Sequence, residues 1–359
     1  MSEARKAVPP RPMREFAQRL VAWQRRHGRH DLPWQATRDP YRVWLSEIML
    51  QQTRVGTVVP YYERFLARFP DAETLARATL DEVLREWAGL GYYSRARNLH
   101  RAAQAVCERH GGKFPPARAL LEALPGLGRS TAAAVAVFAF GAREAILDGN
   151  VKRVLARHFA VDGYPGKQAV ERKLWTLAES LLPARDIEAY TQGLMDLGAK
   201  LCTRGAPACE RCPLASSCVA FGRGRVAAYP APRPRKKLAL RSVAMLLVVR
   251  DGEVLLEKRP PTGVWGGLWS LPEMPVGGAV AAHAAERLGC EIAEPIALQP
   301  LRHTFTHFAL EIRPWRCEVR GARLRAAQPA TIWLGIDEAM RAAVPAPVKK
   351  LLGRIGERE

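Results

Sequence analysis

Residues 124–134 read LPGLGRSTAAA, and this stretch decides how the N-terminal part of the chain can fold. Gly126 and Gly128, separated by Leu127, allow a tight turn between the apolar segments on either side. Such a turn at the start of a helix exposes backbone N–H groups that can bind a phosphate. The same pattern is also typical of an ordinary connection between two antiparallel helices.

The segments around this turn have helical patterns from residue 12 to about residue 221. Asp39 followed by Pro40 predicts a helix start, and Thr53 predicts a second one. Asp148 is expected to cap the helix NVKRVLARHF. Further helices are predicted over 94–110, from Arg129 through Phe140, and over 167–182 and 186–200.

The C-terminal part of the chain has a different pattern. Residues 222–240 carry basic but no acidic side chains and include YPAPRPRKK, which is typical of a linker, either a solvated tether or one that also touches phosphates. SVAMLLVV at 242–249, the turn Asp251-Gly252 and VLLEKR at 254–259 together predict a β-hairpin. THFALEIRPWRCEV predicts another strand or pair, and 283–289 and 345–354 predict helices. We therefore expect a separate α+β domain.

Four cysteines, Cys202, Cys209, Cys212 and Cys218, have the spacing C-x6-C-x2-C-x5-C. The segment around them is too polar and too rich in proline for a core segment, which makes four buried, unligated thiols a poor explanation. Four thiolates so close together can bind one compact soft metal centre. The spacing alone leaves both zinc and an iron–sulfur cluster open.

The net charge indicates which class of partner the protein binds, and the absence of targeting segments indicates its compartment. With 55 Lys and Arg against 35 Asp and Glu, the net charge is +20, which favours a polyanion and nucleic acid first. A chain that is rich in arginine throughout would show the same excess without any such partner. An acidic membrane surface is another partner that the excess would suit. We find no signal peptide and no apolar run of membrane-spanning length, and we expect a cytoplasmic protein associated with the nucleoid. Seven cysteines in such a compartment argue against a disulfide framework.

Two carboxylates are candidates for acid chemistry. Glu47 shares a helical face with Trp44 and Gln51, and a bulky apolar neighbour raises the pKa of a carboxyl group. Considered alone, Glu47 is better explained as a surface residue of an amphipathic helix, and Asp148 has an ordinary task as a helix cap. A proton donor beside a second carboxylate suits cleavage of a bond to a sugar carbon through an oxocarbenium-like state.

In order along the chain, residues 32–55, 87–103, 124–134 and 146–157 resemble the motifs of the MutY family of adenine DNA glycosylases. The cysteine spacing resembles the cluster loop shared by the MutY and endonuclease III families. The resemblance implies an all-α helix–hairpin–helix glycosylase region over 1–221 with a [4Fe–4S] cluster on the loop 202–218. It implies a monomer that acts on duplex DNA containing adenine opposite 8-oxoguanine or guanine.

The resemblance also implies a role for each matching residue. Glu47 would protonate the adenine, Asp148 would stabilise the cationic or covalently trapped sugar, and Asn150 would assist Asp148. Gln52 and Tyr92 would act at the lesion and at the intercalation step. Trp34, Gln35 and Gln192 match positions that line the adenine pocket, and Gly126, Gly128 and Ser130 match positions at the DNA backbone.

Ser130 distinguishes this chain from the endonuclease III-like enzymes, which are related to the MutY family. Endonuclease III-like enzymes carry there a lysine that forms a Schiff base and cleaves the strand, and they lack a glutamate at the place of Glu47. Both differences favour a monofunctional glycosylase over a bifunctional enzyme for oxidised pyrimidines. The acid pair of Glu47 and Asp148 argues against a module that only binds DNA.

Residues 241–359 resemble the Nudix-like domain appended to MutY, with TGVWGGLWSLPE at 262–273 as the matching segment. A hydrolytic Nudix enzyme needs a cluster of glutamates after an arginine to hold Mg²⁺, and residues 274–291 lack it. The resemblance therefore implies a recognition domain. Phe305, Thr306 and His307 match the loop that senses 8-oxoguanine, with threonine where serine is common.

Overall fold

The structure is a computed structural model that describes residues 11–234, 238–305, 307–322 and 330–356. The described residues form two compact units. The first unit lies within Met1–Arg77 and Asn98–Arg235, and the second unit lies within Ala78–Arg97 and Lys236–Glu359. No helix in these described ranges is both long enough and apolar enough to cross a membrane.

The helices of the N-terminal part confirm the all-α prediction. They are α1 (Arg11–His27), α2 (Pro40–Leu50), α3 (Val55–Arg68), α4 (Ala72–Arg77), α5 (Leu80–Trp87), α6 (Ser94–His110), α7 (Arg118–Glu122), α8 (Arg129–Phe140), α9 (Gly149–His158), α10 (Gln168–Ser180), α11 (Ile187–Lys200) and α12 (Val219–Gly222). Short 3-10 turns lie at Cys209–Arg211, Ala215–Ser217 and Val226–Ala228.

Capping residues explain where two of these helices begin. Asp39 Oδ1 accepts a hydrogen bond from the backbone N–H of Tyr41 at 2.9 Å, and Pro40 opens α2 as expected. Asp148 Oδ1 accepts one from Val151 N at 2.7 Å at the start of α9. The predicted start at Thr53 is wrong, because α3 begins at Val55 and the Thr53 hydroxyl donates to the preceding turn instead.

The core of the first unit forms where α11 packs against α1 and α9. Leu20, Leu155 and Leu194 are buried in this contact. Gly198 brings α11 close to the start of α9, since a Cβ atom there would lie 2.5 Å from Cβ of Asn150. Close packing therefore places the first turn of α9 next to α11.

The turn between α7 and α8 uses its two glycines differently. Gly126 has φ +82°, and a Cβ atom there would lie 2.6 Å from Cβ of Asn98. Gly128 is the N-cap of α8 with φ −86°, and nothing lies within 4 Å of a Cβ added to it. Gly126 thus serves the fold, whereas Gly128 leaves the backbone at the helix start open.

The second unit contains a sheet flanked by helices. Its strands are β1 (Ala239–Arg250), β2 (Glu253–Lys258), β3 (Trp269–Ser270), β4 (Glu273–Met274), β5 (Cys290–Ile292), β6 (Ile296–Ala297), β7 (Leu301–Thr304), β8 (Phe308–Ala322) and β9 (Thr331–Gly335). Its C-terminal helices are α13 (Val280–Leu288), α14 (Ile336–Arg341) and α15 (Ala346–Gly356). This confirms the predicted α+β fold.

The sheet is mixed. β1 and β2 form the predicted hairpin, with Asp251 and Gly252 both at positive φ as a two-residue turn requires. β1 also pairs in parallel with β8, from Ala239 opposite Phe308 to Val249 opposite Glu318. Alternating residues of β1 face two separate cores, one containing Met245 and Leu247 and the other Leu246 and Val248.

The predicted linker over 222–240 begins inside packed structure. Tyr229 is buried, and Arg157 Nε donates a hydrogen bond to its carbonyl oxygen at 2.9 Å. β1 starts at Ala239, and residues 235–237 lie outside the described residues. The boundaries 1–221, 222–240 and 241–359 stay a prediction.

The two hairpin glycines give a matched pair of variants. We expect Gly126→Asp to lower the free energy of unfolding by about 2 kcal/mol or more, because the side chain meets Asn98 and the backbone is at positive φ. Gly128→Asp should leave stability near that of the wild type, yet weaken binding to duplex DNA about tenfold through its charge. Denaturant unfolding and equilibrium binding measure both. Equal stability losses for the two variants would contradict the assignment.

Candidate active site and cysteine site

A cavity of about 1210 Å³ opens in the first unit between α2, α8, α11 and the start of α9. Nine of the site residues expected from the sequence line it together. They are Trp34, Gln35, Glu47, Gln52, Gly128, Ser130, Asp148, Asn150 and Gln192. Gly126 is not among the residues that line it, and Tyr92, Phe305 and His307 belong to the second unit.

Glu47 enters the cavity from α2, beside the fully buried Trp44 and Ile48. Burial, and to a smaller extent the negative charge of Asp148, together raise the pKa of Glu47 to about 7. Among the described residues, no hydrogen-bond donor offsets this shift. Glu47 is therefore protonated in part of the population near neutral pH, and its pKa is raised, as expected for a carboxyl group beside Trp44.

Asp148 faces the same cavity from the start of α9. Burial raises its pKa, while the hydrogen bonds from Val151 N and from Asn150 lower it, as does the charge of Arg153. The side-chain hydrogen bond runs from Asn150 Nδ2 to Asp148 Oδ2 at 3.3 Å. Donors aimed at one carboxyl group and none at the other favour ionisation of Asp148 over ionisation of Glu47, although the pKa of Asp148 is also raised overall.

Arg153 fixes the amide of Asn150, and the sequence analysis missed it. Its Nη2 donates to Asn150 Oδ1 at 2.8 Å and to Gly198 O at 2.7 Å, so the Asn150 NH₂ group is left to face Asp148. Its Nε donates to Cys202 O at 2.7 Å. The i+3 spacing from Asn150 was the available signal.

Asp196 is a second residue that the sequence analysis missed. Its carboxylate is fully buried and accepts hydrogen bonds from Arg29 N at 2.8 Å, Arg29 Nε at 2.6 Å and Gln192 Nε2 at 2.8 Å. It therefore joins α11 to the segment that carries Trp34 and Gln35. Its i+4 spacing from Gln192 was a signal, although an exposed surface pair has the same spacing.

The remaining cavity residues are held by local contacts. Ser130 Oγ accepts a hydrogen bond from Leu147 N at 2.9 Å, which anchors the residue before Asp148. The indole of Trp34 lies edge-on to the ring of Tyr62 at 5.3 Å. Gln52 is exposed with φ +58°, an unusual conformation at the mouth of a site.

Tyr92 lies in the second unit and is 49% exposed, with φ +49° directly after Gly91 at φ +71°. The guanidinium of Arg95 lies 5.6 Å from its ring centre. Arg95 Nη2 donates to the carbonyl oxygens of Leu90 and Gly91 at 3.2 and 3.3 Å. An exposed aromatic side chain is thus presented on a well-supported loop.

Phe305 and His307 lie in the turn between β7 and β8, which the hydrogen bond from Phe305 N to Phe308 O closes at 2.8 Å. The Phe305 ring stacks on Phe308 at 4.6 Å and lies near Trp265 at 5.4 Å. His307 is exposed, and Thr306 lies outside the described residues. The turn therefore presents its tip to solvent over an aromatic base.

Cys202, Cys209, Cys212 and Cys218 line one small cavity in the first unit, and all are free thiols. Arg157 Nη1 lies 3.3 Å from Cys202 Sγ. Burial first, and the neighbouring thiols after it, together raise the pKa of the Cys212 thiol to about 11. Among the described residues, no group of three or more His, Cys, Asp or Glu is arranged to hold a single metal ion.

Comparison with protein families and curated proteins gives matches over both parts of the chain. The family described as HhH-GPD superfamily base excision DNA repair protein matches residues 45–180, and the NUDIX domain matches residues 243–354. The adenine DNA glycosylase of Buchnera aphidicola subsp. Baizongia pistaciae is 33% identical, over 95% of this chain and 96% of its own length. The adenine DNA glycosylase of Mus musculus is 34% identical, over 94% of this chain and 77% of its own length.

Solved structures match the helical part. A thermostable thymine-DNA glycosylase superposes with a TM-score of 0.54 at 31% identity, over 59% of this chain and 98% of that one. Endonuclease III in a non-covalent DNA complex superposes with a TM-score of 0.51 at 21% identity, over 61% and 99%. The second likeness shows a shared fold.

The raised pKa of Glu47 predicts a pH-dependent stability penalty. Because its folded pKa of about 7 exceeds the unfolded value of 4.5, stability is fully present below 4.5 and is lost as pH rises through 7. Glu47→Gln removes this loss. We expect its gain in unfolding free energy over the wild type to be larger at about pH 8 than at about pH 5, by on the order of 2 kcal/mol.

Denaturant unfolding at both pH values measures the difference. Glu63→Gln, an exposed change on α3, is the matched control and should show the same small effect at each pH. A Glu47→Gln effect that is independent of pH would mean that Glu47 is not buried as described.

Proposed function

The chain belongs to the adenine DNA glycosylase family, and from that premise we propose that its substrate is duplex DNA with adenine opposite 8-oxoguanine or guanine. The enzyme is a monofunctional DNA glycosylase of base excision repair, which hydrolyses the N-glycosidic bond of adenine and leaves an abasic site. The protonated Glu47 beside Asp148 in one cavity is the observation that carries the proposal.

Glu47 is the proposed general acid. Adenine is a poor leaving group as an anion, so protonation of its ring lowers the barrier to breaking the bond to the sugar. A carboxyl group with a pKa of about 7 is protonated in part of the population at neutral pH and donates readily. Its proton passes to adenine as the bond breaks, and the group is then an anion that can accept a proton from water.

Asp148 is the proposed stabiliser of the sugar. Positive charge develops on the sugar ring as the base leaves, and a carboxylate within the cavity stabilises it. Donors from Val151 N and Asn150 Nδ2 hold the Asp148 side chain in place before the substrate arrives. The geometry supports charge stabilisation and a covalent bond to the sugar equally well.

The size and position of the cavity support an extruded base. An enzyme acts on a base inside a duplex only after the nucleotide is rotated out of the stack. The cavity of about 1210 Å³ takes a purine, with Trp34, Gln35 and Gln192 at its walls. Tyr92 is the proposed wedge that fills the space left in the duplex, with Gln52 beside the mispair.

Recognition of the opposite base is assigned to the second unit. Adenine is undamaged, so the mispair must be identified from its partner. The turn of Phe305, Thr306 and His307 offers an aromatic ring, a hydroxyl and an imidazole to that partner. The DNA backbone is proposed to lie at Gly126, Gly128 and Ser130, where the N–H groups at the start of α8 attract phosphate.

Hydrolysis without strand cleavage agrees with the lining of the cavity. A lyase needs an amine that forms a Schiff base with the sugar. Ser130 stands at the matching position with its hydroxyl bonded to Leu147 N, and none of the described residues that line the cavity is a lysine.

The four cysteines are proposed to bind a [4Fe–4S] cluster. Their sulfur atoms share one cavity, and thiolates are the ligands that such clusters use. Arg157 would offset part of the cluster's negative charge at Cys202. The cluster, when bound, would cross-link the loop 202–218, and Arg153 joins that loop to Asn150. We further propose a monomeric enzyme that resides with the nucleoid, where its substrate is.

The central test is excision by single turnover. Duplexes with adenine opposite 8-oxoguanine, guanine or thymine, and one with an oxidised pyrimidine, are compared at saturating enzyme. We expect excision of adenine from the first two without strand cleavage. Glu47→Gln should bind the 8-oxoguanine duplex yet excise at least about 100-fold more slowly, because an amide donates no proton in this way. A near-normal rate would require another acid, and excision of the pyrimidine alone would overturn the substrate.

The cysteine assignment is tested on the purified protein. We expect broad visible absorption and iron with acid-labile sulfide, because the four thiolates ligate iron. Cys212→Ser should lose the absorption and lower the yield of folded protein, whereas Cys107→Ser, on α6 away from the cavity, should keep both. A colourless, fully active protein with stoichiometric zinc would contradict the assignment.

A further inference from the structure

The loop that presents Tyr92 is fixed by the first turn of α6. Arg95 donates to Leu90 O and Gly91 O, and its backbone N–H donates to Tyr92 O at 2.8 Å. Trp87 Nε1 also donates to Gly91 O, at 3.1 Å. Displacement of the first turn of α6 therefore displaces Tyr92.

The same helical turn contacts the C-terminal part of the second unit. Arg97, two residues after Arg95, donates from Nη1 to Gly266 O at 2.5 Å. Two further contacts support the segment 78–97. Tyr93 Oη donates to Val344 O at 3.4 Å, and Asp81 pairs with Lys258.

Gly266 belongs to a strained turn over residues 260–267. Trp265 has φ +54°, which a bulky side chain rarely adopts. A Cβ atom on Gly266 would lie 2.7 Å from Pro261 O, so the turn is closed tightly. Arg259 Nε donates to Val264 O at 2.9 Å from the inside of the turn. Strain of this kind persists only where the surroundings hold it, and it is common at switching and binding sites.

The Trp265 side chain connects this turn to the turn proposed to read the opposite base. Its ring lies 5.4 Å from Phe305 and 5.8 Å from His303, and His303 lies edge-on to Phe305 at 4.6 Å. A continuous set of contacts thus runs from Phe305 through Trp265, Gly266 and Arg97 to the base of the Tyr92 loop.

We infer that Arg97 and Trp265 are positioning residues that couple recognition of the opposite base at Phe305 to the wedge position of Tyr92. The inference rests on the proposed function. Binding of 8-oxoguanine at the Phe305 turn favours one arrangement of Trp265, and the Arg97 contact carries that preference to α6. Guanine makes fewer contacts with the Phe305 turn, so the coupling adds little for it. The coupling is reciprocal, as any link between two binding events must be.

The test compares single-turnover rates for adenine opposite 8-oxoguanine and opposite guanine in the full-length enzyme. Arg97→Met removes the hydrogen bond to Gly266 and keeps the length of the side chain. We expect it to reduce the ratio of the two rates about tenfold, by slowing only the 8-oxoguanine duplex. Arg97→Lys, which can still donate, should restore most of the ratio. Arg313→Met, an exposed change on β8, is the control and should leave it unchanged.

Trp265→Gly is a second variant. It removes the ring and adds no backbone strain, since glycine adopts a positive φ without strain. It should lower the same ratio, whereas Trp265→Phe should keep most of it. A duplex with 2-aminopurine opposite 8-oxoguanine reports unstacking directly as increased fluorescence. We expect the increase to be smaller in Arg97→Met and Trp265→Gly than in the wild type.

Equal slowing of both duplexes in Arg97→Met and Trp265→Gly would indicate a structural role and overturn the coupling, as would an unchanged ratio. A wild-type enzyme without preference for 8-oxoguanine would instead overturn the proposed recognition, whatever the variants do. The two failures are therefore distinguishable.

Discussion

Two carboxyl groups, those of Glu47 and Asp148, line one cavity, and desolvation together with their repulsion makes it costly to ionise both. The surrounding structure decides which of them keeps the proton. Backbone and amide donors surround Asp148 at the start of α9, whereas Glu47 stands among apolar side chains of α2. In the proposed mechanism, one fold thus provides an acid and an anion from two similar groups, which suits cleavage of a glycosidic bond.

Several features of the first unit serve this arrangement. Gly198 lets α11 approach the start of α9, Arg153 orients Asn150 towards Asp148, and Ser130 anchors the backbone before it. A buried acid of this kind lowers stability at neutral pH, and the enzyme keeps it for its chemistry. Trp265 also has a strained backbone, at φ +54°, although its side chain packs against the core of the second unit.

The sequence predicted what depends on local physical chemistry. Asp39 and Asp148 predicted the starts of their helices, because a cap depends only on its own side chain and the next turn. Asp251-Gly252 predicted its hairpin, because a two-residue turn depends only on the conformations of those two residues. Glu47 was found through its apolar helical neighbours together with the family resemblance. The structure brings nine of the expected site residues together around one cavity.

What the sequence could not predict depends on contacts between distant residues. The buried acceptor role of Asp196 depends on Arg29, 167 positions away. The parallel pairing of β1 with β8 joins segments far apart in the chain, and the grouping of 78–97 with 236–359 follows from tertiary contacts alone. Thr53 failed as a helix start because its hydroxyl bonds to the preceding turn.

The central claim is that Glu47 donates its proton with a pKa near neutrality, and the pH dependence of adenine excision tests it most directly. Single-turnover rates are measured at saturating enzyme on the 8-oxoguanine duplex. Because the protonated form is active, the account predicts a constant rate at pH values well below the pKa of about 7, a half-maximal rate at the pKa, and a decline above it that approaches tenfold for each pH unit. A rate that stays constant, or rises, from about pH 6 to about pH 9 would contradict Glu47 as the acid.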